Sequence, residues 1–207
     1  MRWPAALALA ALGTGCGGSA PPEPPAPSSA APAAAPASRI AIAGREQYYD
    51  IDGSSAGALR DQIRRLGPKD ESGSARDALT VWDLEWAYHL VGDTTACALS
   101  DVQVTLNVTV TLPRWKSPPT APARLSDSWR TYLEHVKLHE AGHRTIAQRY
   151  ARQLFTALSG LRAATCAELD GLVSRRAEEI VAEGRARNRA YDVETKHGQT
   201  QGVVLEP

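Results

Sequence analysis

The chain lacks most of the features that assign a protein quickly. Its formal net charge is zero, from 23 basic and 23 acidic side chains. That balance gives no global attraction to nucleic acid, and no Lys/Arg run supplies a local one. Arg60, Arg64 and Arg65 fall at helical spacing and read as a solvated face. Aromatic residues are scarce at 6%, with one Phe, although five are Trp. No apolar run reaches the ~20 residues that a spanning helix needs. A length of 207 residues suits one domain plus a tail.

The longest apolar run opens the chain. "MRWPAALALAALGTGC" has an early Arg, an Ala/Leu stretch, then small residues before Cys16. Residues 1–15 read as a signal peptide. The small residues up to Cys16 resemble a bacterial lipobox, in which the cysteine is lipidated and becomes the mature N-terminus. The departure is Gly13 where Leu is usual, with Leu12 one position further back. Plain secretion after cleavage near "GGSA" is the alternative, and both readings export the protein. The Pro/Ala/Ser tract that follows Cys16, to residue 38, has no pattern that builds a core and reads as a semi-extended tether. The expected location is the cell envelope. Gly17 after Cys16 leans toward the periplasmic side of an outer membrane, by resemblance to other lipoproteins. The folded domain is expected over 39–207.

Cysteine is scarce too. With Cys16 lipidated, Cys97 and Cys166 remain in an oxidising compartment and are expected to pair. The disulfide would close a loop of about 70 residues. Two separate buried thiols are the alternative.

The patterned segments predict an α+β domain. A short strand is expected over 47–53, then a helix to about Leu66 capped by Ser54 or Ser55. From Leu79 the period changes to two, with Trp82, Leu84, Trp86, Tyr88 and Leu90 on one side. Between Asp101 and Leu112, Val102, Val104, Leu106, Val108, Val110 and Leu112 alternate with polar residues. These two segments suggest an antiparallel pair with one face on a core. Ser126 is the expected N-cap of a long helix carrying Trp129, Leu133, Val136, His139, His143, Ala147, Tyr150, Leu154 and Leu158, with an end near Gly160. Thr165 and Glu168 fit a capping box for a last helix. The tail "YDVETKHGQTQGVVLEP" shows no helical period and is expected to be a loop with a short strand.

The chemistry lies in "LHEAGHRTIA", residues 138–147. His139-Glu140-Ala141-Gly142-His143 matches H-E-x-x-H. Positions 139 and 143 stack on one face of a helix, so their imidazoles can converge on one zinc ion. Glu140 projects at a neighbouring angle, placed to take a proton from water activated by the metal. His135 shares the face, but lies about 12 Å from His143 along the axis, too far to share one ion. A histidine six residues past His143 would extend the motif, but Arg149 stands there. The third ligand must therefore come from elsewhere. Glu168, Glu178 and Glu179 are candidates, although all fall at capping or solvated positions. His197 is favoured, because a polar tail offers little packing reason for an imidazole. Tyr191 and His89 are weaker candidates to donate a hydrogen bond to a developing oxyanion.

"YYDIDG", "TVWDLEWAY", "CALSDVQVTLNVTVTLPRW", "HEAGH" and "YDVETKHGQTQG", in this order, resemble a bacterial family of predicted secreted zinc-dependent proteases, domain of unknown function 922. The likeness covers about residues 46–205. It implies a zincin-like α+β fold, with a small antiparallel sheet on the long H-E-x-x-H helix and a further C-terminal helix. It also implies one zinc ion on His139 and His143, Glu140 as catalytic base, and a better claim for His197. The expected activity is hydrolysis of a peptide or protein by an envelope metallopeptidase held to the membrane by its lipid. A non-catalytic lipoprotein with a structural metal or a partner-binding role is the alternative. An amidase acting on cell-wall peptides would use the same chemistry.

Overall fold

The computed structural model describes residues 37–206. The expected leader at 1–15, Cys16 and the tether as far as residue 36 lie outside the described residues. In chain order the elements are β1 (Arg39–Ile51), α1 (Ala56–Leu66), β2 (Leu79–Gly92), β3 (Cys97–Trp115), α2 (Ala123–Ser159), β4 (Arg162–Ala163) and α3 (Cys166–Thr195), with a 3-10 turn at Gln199–Gln201. The architecture is α+β: a small sheet with helices packed on one face. None of the described helices is long and apolar enough to cross a membrane.

The sheet is mixed, which corrects the antiparallel expectation. Its order is β1-β3-β2, with β4 paired to the start of β3. β2 and β3 form the expected antiparallel pair, Trp82 opposite Val108 and Leu84 opposite Leu106. β1 runs parallel to β3, from Arg39 opposite Gln103 to Ile51 opposite Trp115. The chain reverses once through α1 and again between β2 and β3, so β1 and β3 share a direction. β1 also begins eight residues before the expected strand at 47. Its outer half is exposed and shows little apolar alternation, and the ladder to β3 supplies its order.

The alternation in β3 builds the core. Val102, Val104, Leu106, Val108, Val110 and Leu112 are all at most 3% exposed. Burying each such side chain contributes roughly 1.5–3 kcal/mol. Tyr132, Val136, Leu154 and Leu158 of α2 and Leu169, Val173 and Ile180 of α3 complete that core. The opposite face of β3 is polar and bonded laterally. Arg45 donates to Thr109 (2.9 Å), Gln47 to Thr111 (2.8 Å) and Asn107 to Glu85 (3.2 Å).

The helix signals hold with two corrections. α2 starts three residues before Ser126, after Pro122, and ends at Gly160. Pro122 at the N-cap has extended backbone (φ −60°, ψ 136°) and no side-chain cap hydrogen bond. α3 opens with the Thr165–Glu168 capping box as expected. It then runs on through "YDVET" to Thr195, which corrects the expected loop there. The apolar stripe fades after Gly184, but the helical spacing does not. Asn188, Tyr191, Asp192 and Thr195 continue it with polar residues, because this stretch faces the site described next. Cys97 and Cys166 form a disulfide with Cα atoms 5.1 Å apart, tying the start of β3 to the start of α3.

Candidate metal centre

α2 and α3 pack side by side and bring three donor atoms together. His139 Nε2 lies 3.2 Å from His143 Nε2. Asp192 Oδ1, from α3, is 3.3 Å from the first and 3.1 Å from the second. A tetrahedral zinc with bonds of about 2.0–2.1 Å holds neighbouring ligand atoms roughly 3.3–3.4 Å apart. The triangle therefore already has nearly the edges of one face of such a tetrahedron. His139, Glu140 and His143 are buried, and the Asp192 side chain is mostly so.

The outer ring nitrogens decide what the inner ones offer. His139 Nδ1 donates to Gln201 Oε1 at 2.9 Å, and His143 Nδ1 donates to Asn188 Oδ1 at 2.8 Å. The Gln201 amide is oriented in turn, because its Nε2 donates to the Tyr191 hydroxyl at 3.0 Å. Trp82 Nε1 donates to the same Asn188 oxygen at 3.4 Å. With both protons held outward, each imidazole presents a lone pair inward. Two lone pairs and a carboxylate oxygen then converge, and three acceptors this close call for a positive charge among them, a metal ion or a proton on one Nε2. The residues present fit a metal ion.

A proton on Nε2 can meet that need in place of a metal ion. Burial opposes charge on Asp192, but Nε2–H donation from a protonated His139 or His143 outweighs it and holds the carboxyl far below its usual range. Burial likewise lowers the His143 pKa, yet Asp192 and Glu140 outweigh it and the net shift is upward. Glu140 moves up: its burial dominates, against the Thr80 hydrogen bond and the nearby imidazoles. Thr80, the second residue of β2, donates to Glu140 Oε2 at 2.6 Å and fixes that carboxylate. All four groups line a cavity of about 190 Å³ with Thr80, Asn188 and His197.

A family model described as bacterial protein of unknown function (DUF922) matches residues 46–198. The chain belongs to this family. No curated protein and no solved structure matches it. The DUF922 match starts within β1 and closes at Gly198, so every donor of the triangle falls inside it.

Within the DUF922 domain the expected site residues divide. His139 and His143 meet as expected, with Glu140 beside them. His197 lines the cavity, with Nδ1 3.4 Å from Asp192 Oδ1, but it is 45% exposed and stands outside the triangle. Tyr191 stacks on His139 (5.1 Å between centroids, 12°) and meets His143 edge-on. Its hydroxyl bonds Gln201, so the ring backs both imidazoles and does not line the cavity. His89 pairs with Asp101 on an exposed part of β2. His135 bonds the Gly202 carbonyl. Glu168 caps α3, Glu179 pairs with Arg176, and Glu178 borders a separate groove.

Sequence reasoning missed Asp192, Asn188, Gln201 and Thr80. The signal for the first two was present: Gly184, Asn188 and Asp192 recur at four-residue steps beyond the apolar stripe. Gly142 also acquires a reason. A Cβ there would lie 2.7 Å from Tyr191 Cε1, and closer to its Cζ and hydroxyl oxygen. Glycine lets Tyr191 lie flat across the helix between the two histidines.

Proposed function

We propose that this domain is a zinc-dependent metallopeptidase of the bacterial cell envelope, tethered through a lipid on Cys16. The observation that carries the reading is Glu140. It is a buried carboxylate, oriented by Thr80, in the same cavity as an all-acceptor His139–His143–Asp192 triangle. His139, His143 and Asp192 would hold the ion. When bound, zinc supplies Lewis acidity, which acidifies water and polarises a carbonyl. Glu140 takes the proton of the attacking water and delivers it to the leaving amine. Burial raises its affinity for that proton, and Thr80 keeps the accepting oxygen aimed.

An extended peptide would bind by adding to a sheet edge. β3 is central in the sheet and has no free edge beside β1 and β2. β2 is an edge strand, and its first residues, Leu79 and Thr80, line the cavity. That favours β2 as the substrate-binding strand.

One observation supports a second reading. His197 is near enough to Asp192 to supply a fourth ligand after a small shift, and a closed four-ligand site would be structural. The test is to load the purified protein with zinc and compare hydrolysis of unfolded protein by wild type and Glu140→Gln. Loss of activity with zinc retained supports the peptidase. Equal activity in both refutes the role of Glu140.

A further inference from the structure

The metal cavity has a second wall, built from two arginine–aspartate pairs. Arg60 from α1 and Arg76 from the loop before β2 both line it. Their side chains are only 31% and 28% exposed. They are held differently. Arg76 commits Nε and Nη2 to Asp70, at 2.7 and 2.5 Å. Arg60 gives only Nη1 to a carboxylate, Asp77 Oδ2, at 2.5 Å. That same Asp77 oxygen also accepts the Tyr132 hydroxyl at 2.9 Å, and the Asp77 carbonyl accepts the Tyr49 hydroxyl at 2.7 Å. Two tyrosines therefore pin Asp77, and Asp77 pins one corner of Arg60. Beyond Asp77 the Arg60 guanidinium interacts with the Tyr132 hydroxyl, and neither Nε nor Nη2 is held by a second carboxylate among the described residues.

A guanidinium fixed at one corner, with donors left over, is suited to a planar two-oxygen anion. The cavity, at about 190 Å³, is smaller than the ~300 Å³ at which pockets for drug-sized ligands begin. That volume suits one side chain or one chain end beside the metal site.

We infer that Arg60 recognises a carboxylate on the residue beside the cleaved bond, so that this cavity selects anionic substrates. The carboxylate has two sources, a free C-terminus or an Asp/Glu side chain. The cleaved bond rests on the metallopeptidase reading, whereas the carboxylate preference rests on Arg60 alone.

The experiment uses the full chain carrying Glu140→Gln, so that probes are not consumed. Acetyl-Gly-Ala as free acid and as amide tests the chain end. Acetyl-Gly-Glu-amide against acetyl-Gly-Gln-amide tests the side chain. Binding is measured by calorimetry, with one equivalent of zinc and again with chelator. One charged probe should bind at least about tenfold tighter than its neutral partner, as for a charged hydrogen bond. The pair that shows the preference identifies the source. Arg60→Gln should reduce the preference to about twofold or less with zinc stoichiometry unchanged, and Arg60→Lys should keep part of it. If Arg60→Gln does not fold, Arg60→Lys decides: it should keep only part of the preference, and an undiminished preference overturns the inference. Equal binding within both pairs overturns the inference, as does a preference that survives Arg60→Gln. A preference that persists under chelator in a protein whose Glu140 form hydrolyses no peptide keeps the carboxylate site and removes the peptidase reading.

Discussion

Gly142→Ala separates a geometric requirement from ordinary helix propensity. Position 142 is inside α2, where replacing Gly by Ala normally stabilises a helix by about 1 kcal/mol. Here the new methyl would lie 2.7 Å from Tyr191 Cε1, and the ring would have to move. Overpacking of this kind costs roughly 1–3 kcal/mol, so the expected net effect runs from near zero to a loss of about 2 kcal/mol. The functional effect should be larger. Displacing Tyr191 breaks its stack on His139 and its bond from Gln201, the residue that orients His139 Nδ1. Loss of such an orienting partner typically weakens metal binding about 10–100-fold. Gly171→Ala is the control. It too is inside a helix, α3, and its Cβ would meet only the tip of Arg175, at 3.3 Å. It should gain about 0.5–1 kcal/mol with zinc affinity unchanged. Urea denaturation and zinc competition against a chromophoric chelator measure both quantities. In a Tyr191→Ala background, Gly142→Ala should become stabilising, a coupling that a double-mutant cycle reads directly. The reasoning fails if Gly142→Ala alone matches Gly171→Ala in stability and keeps wild-type zinc affinity.

Three further outcomes are expected. Asp192→Asn should release zinc as thoroughly as His143→Ala, whereas His197→Ala should retain one equivalent. The opposite ranking by metal analysis would make His197 the third ligand. Reduction of Cys97–Cys166, which closes a loop of 69 residues, should lower unfolding free energy by up to about 4 kcal/mol in the chain-entropy model. A change under about 1 kcal/mol on denaturant titration would contradict that model here. Asp70 is held down to about 2, first by the Ser72 hydroxyl and then by Arg76 and the Ser74 amide. Its contribution is present above the ordinary aspartate range near 4 and is lost as pH falls through about 2. The protection factors of the amides in residues 70–76, with the intrinsic pH dependence of exchange divided out, should fall across that window and stay flat between about pH 5 and 7. Protection already falling at the upper end would refute the assignment.

The local patterns told much of the fold, because each records burial along a single element. Val102 to Leu112 alternate because β3 is buried on one face only. His139 and His143 fall four apart because one helical turn stacks them. Thr165 and Glu168 mark a helix start because the two side chains satisfy each other's backbone. None of these patterns says which faces of two different elements meet. Asp192 stands 49 residues beyond His143 and reaches it only through the packing of α3 on α2. It carries no apolar signal, because that face of α3 meets donors instead of core. The same holds for Thr80 against Glu140, 60 residues apart, and for β1, whose weakly patterned strand takes its order from β3. By itself the sequence determined β2, β3, the starts of the last two helices to within a few residues and the His-Glu-His motif, since those depend on neighbours within a turn or a pleat. The third donor, the mixed sheet and the Arg60 wall were decided by tertiary structure, since a period along one element does not say which face of another element it meets.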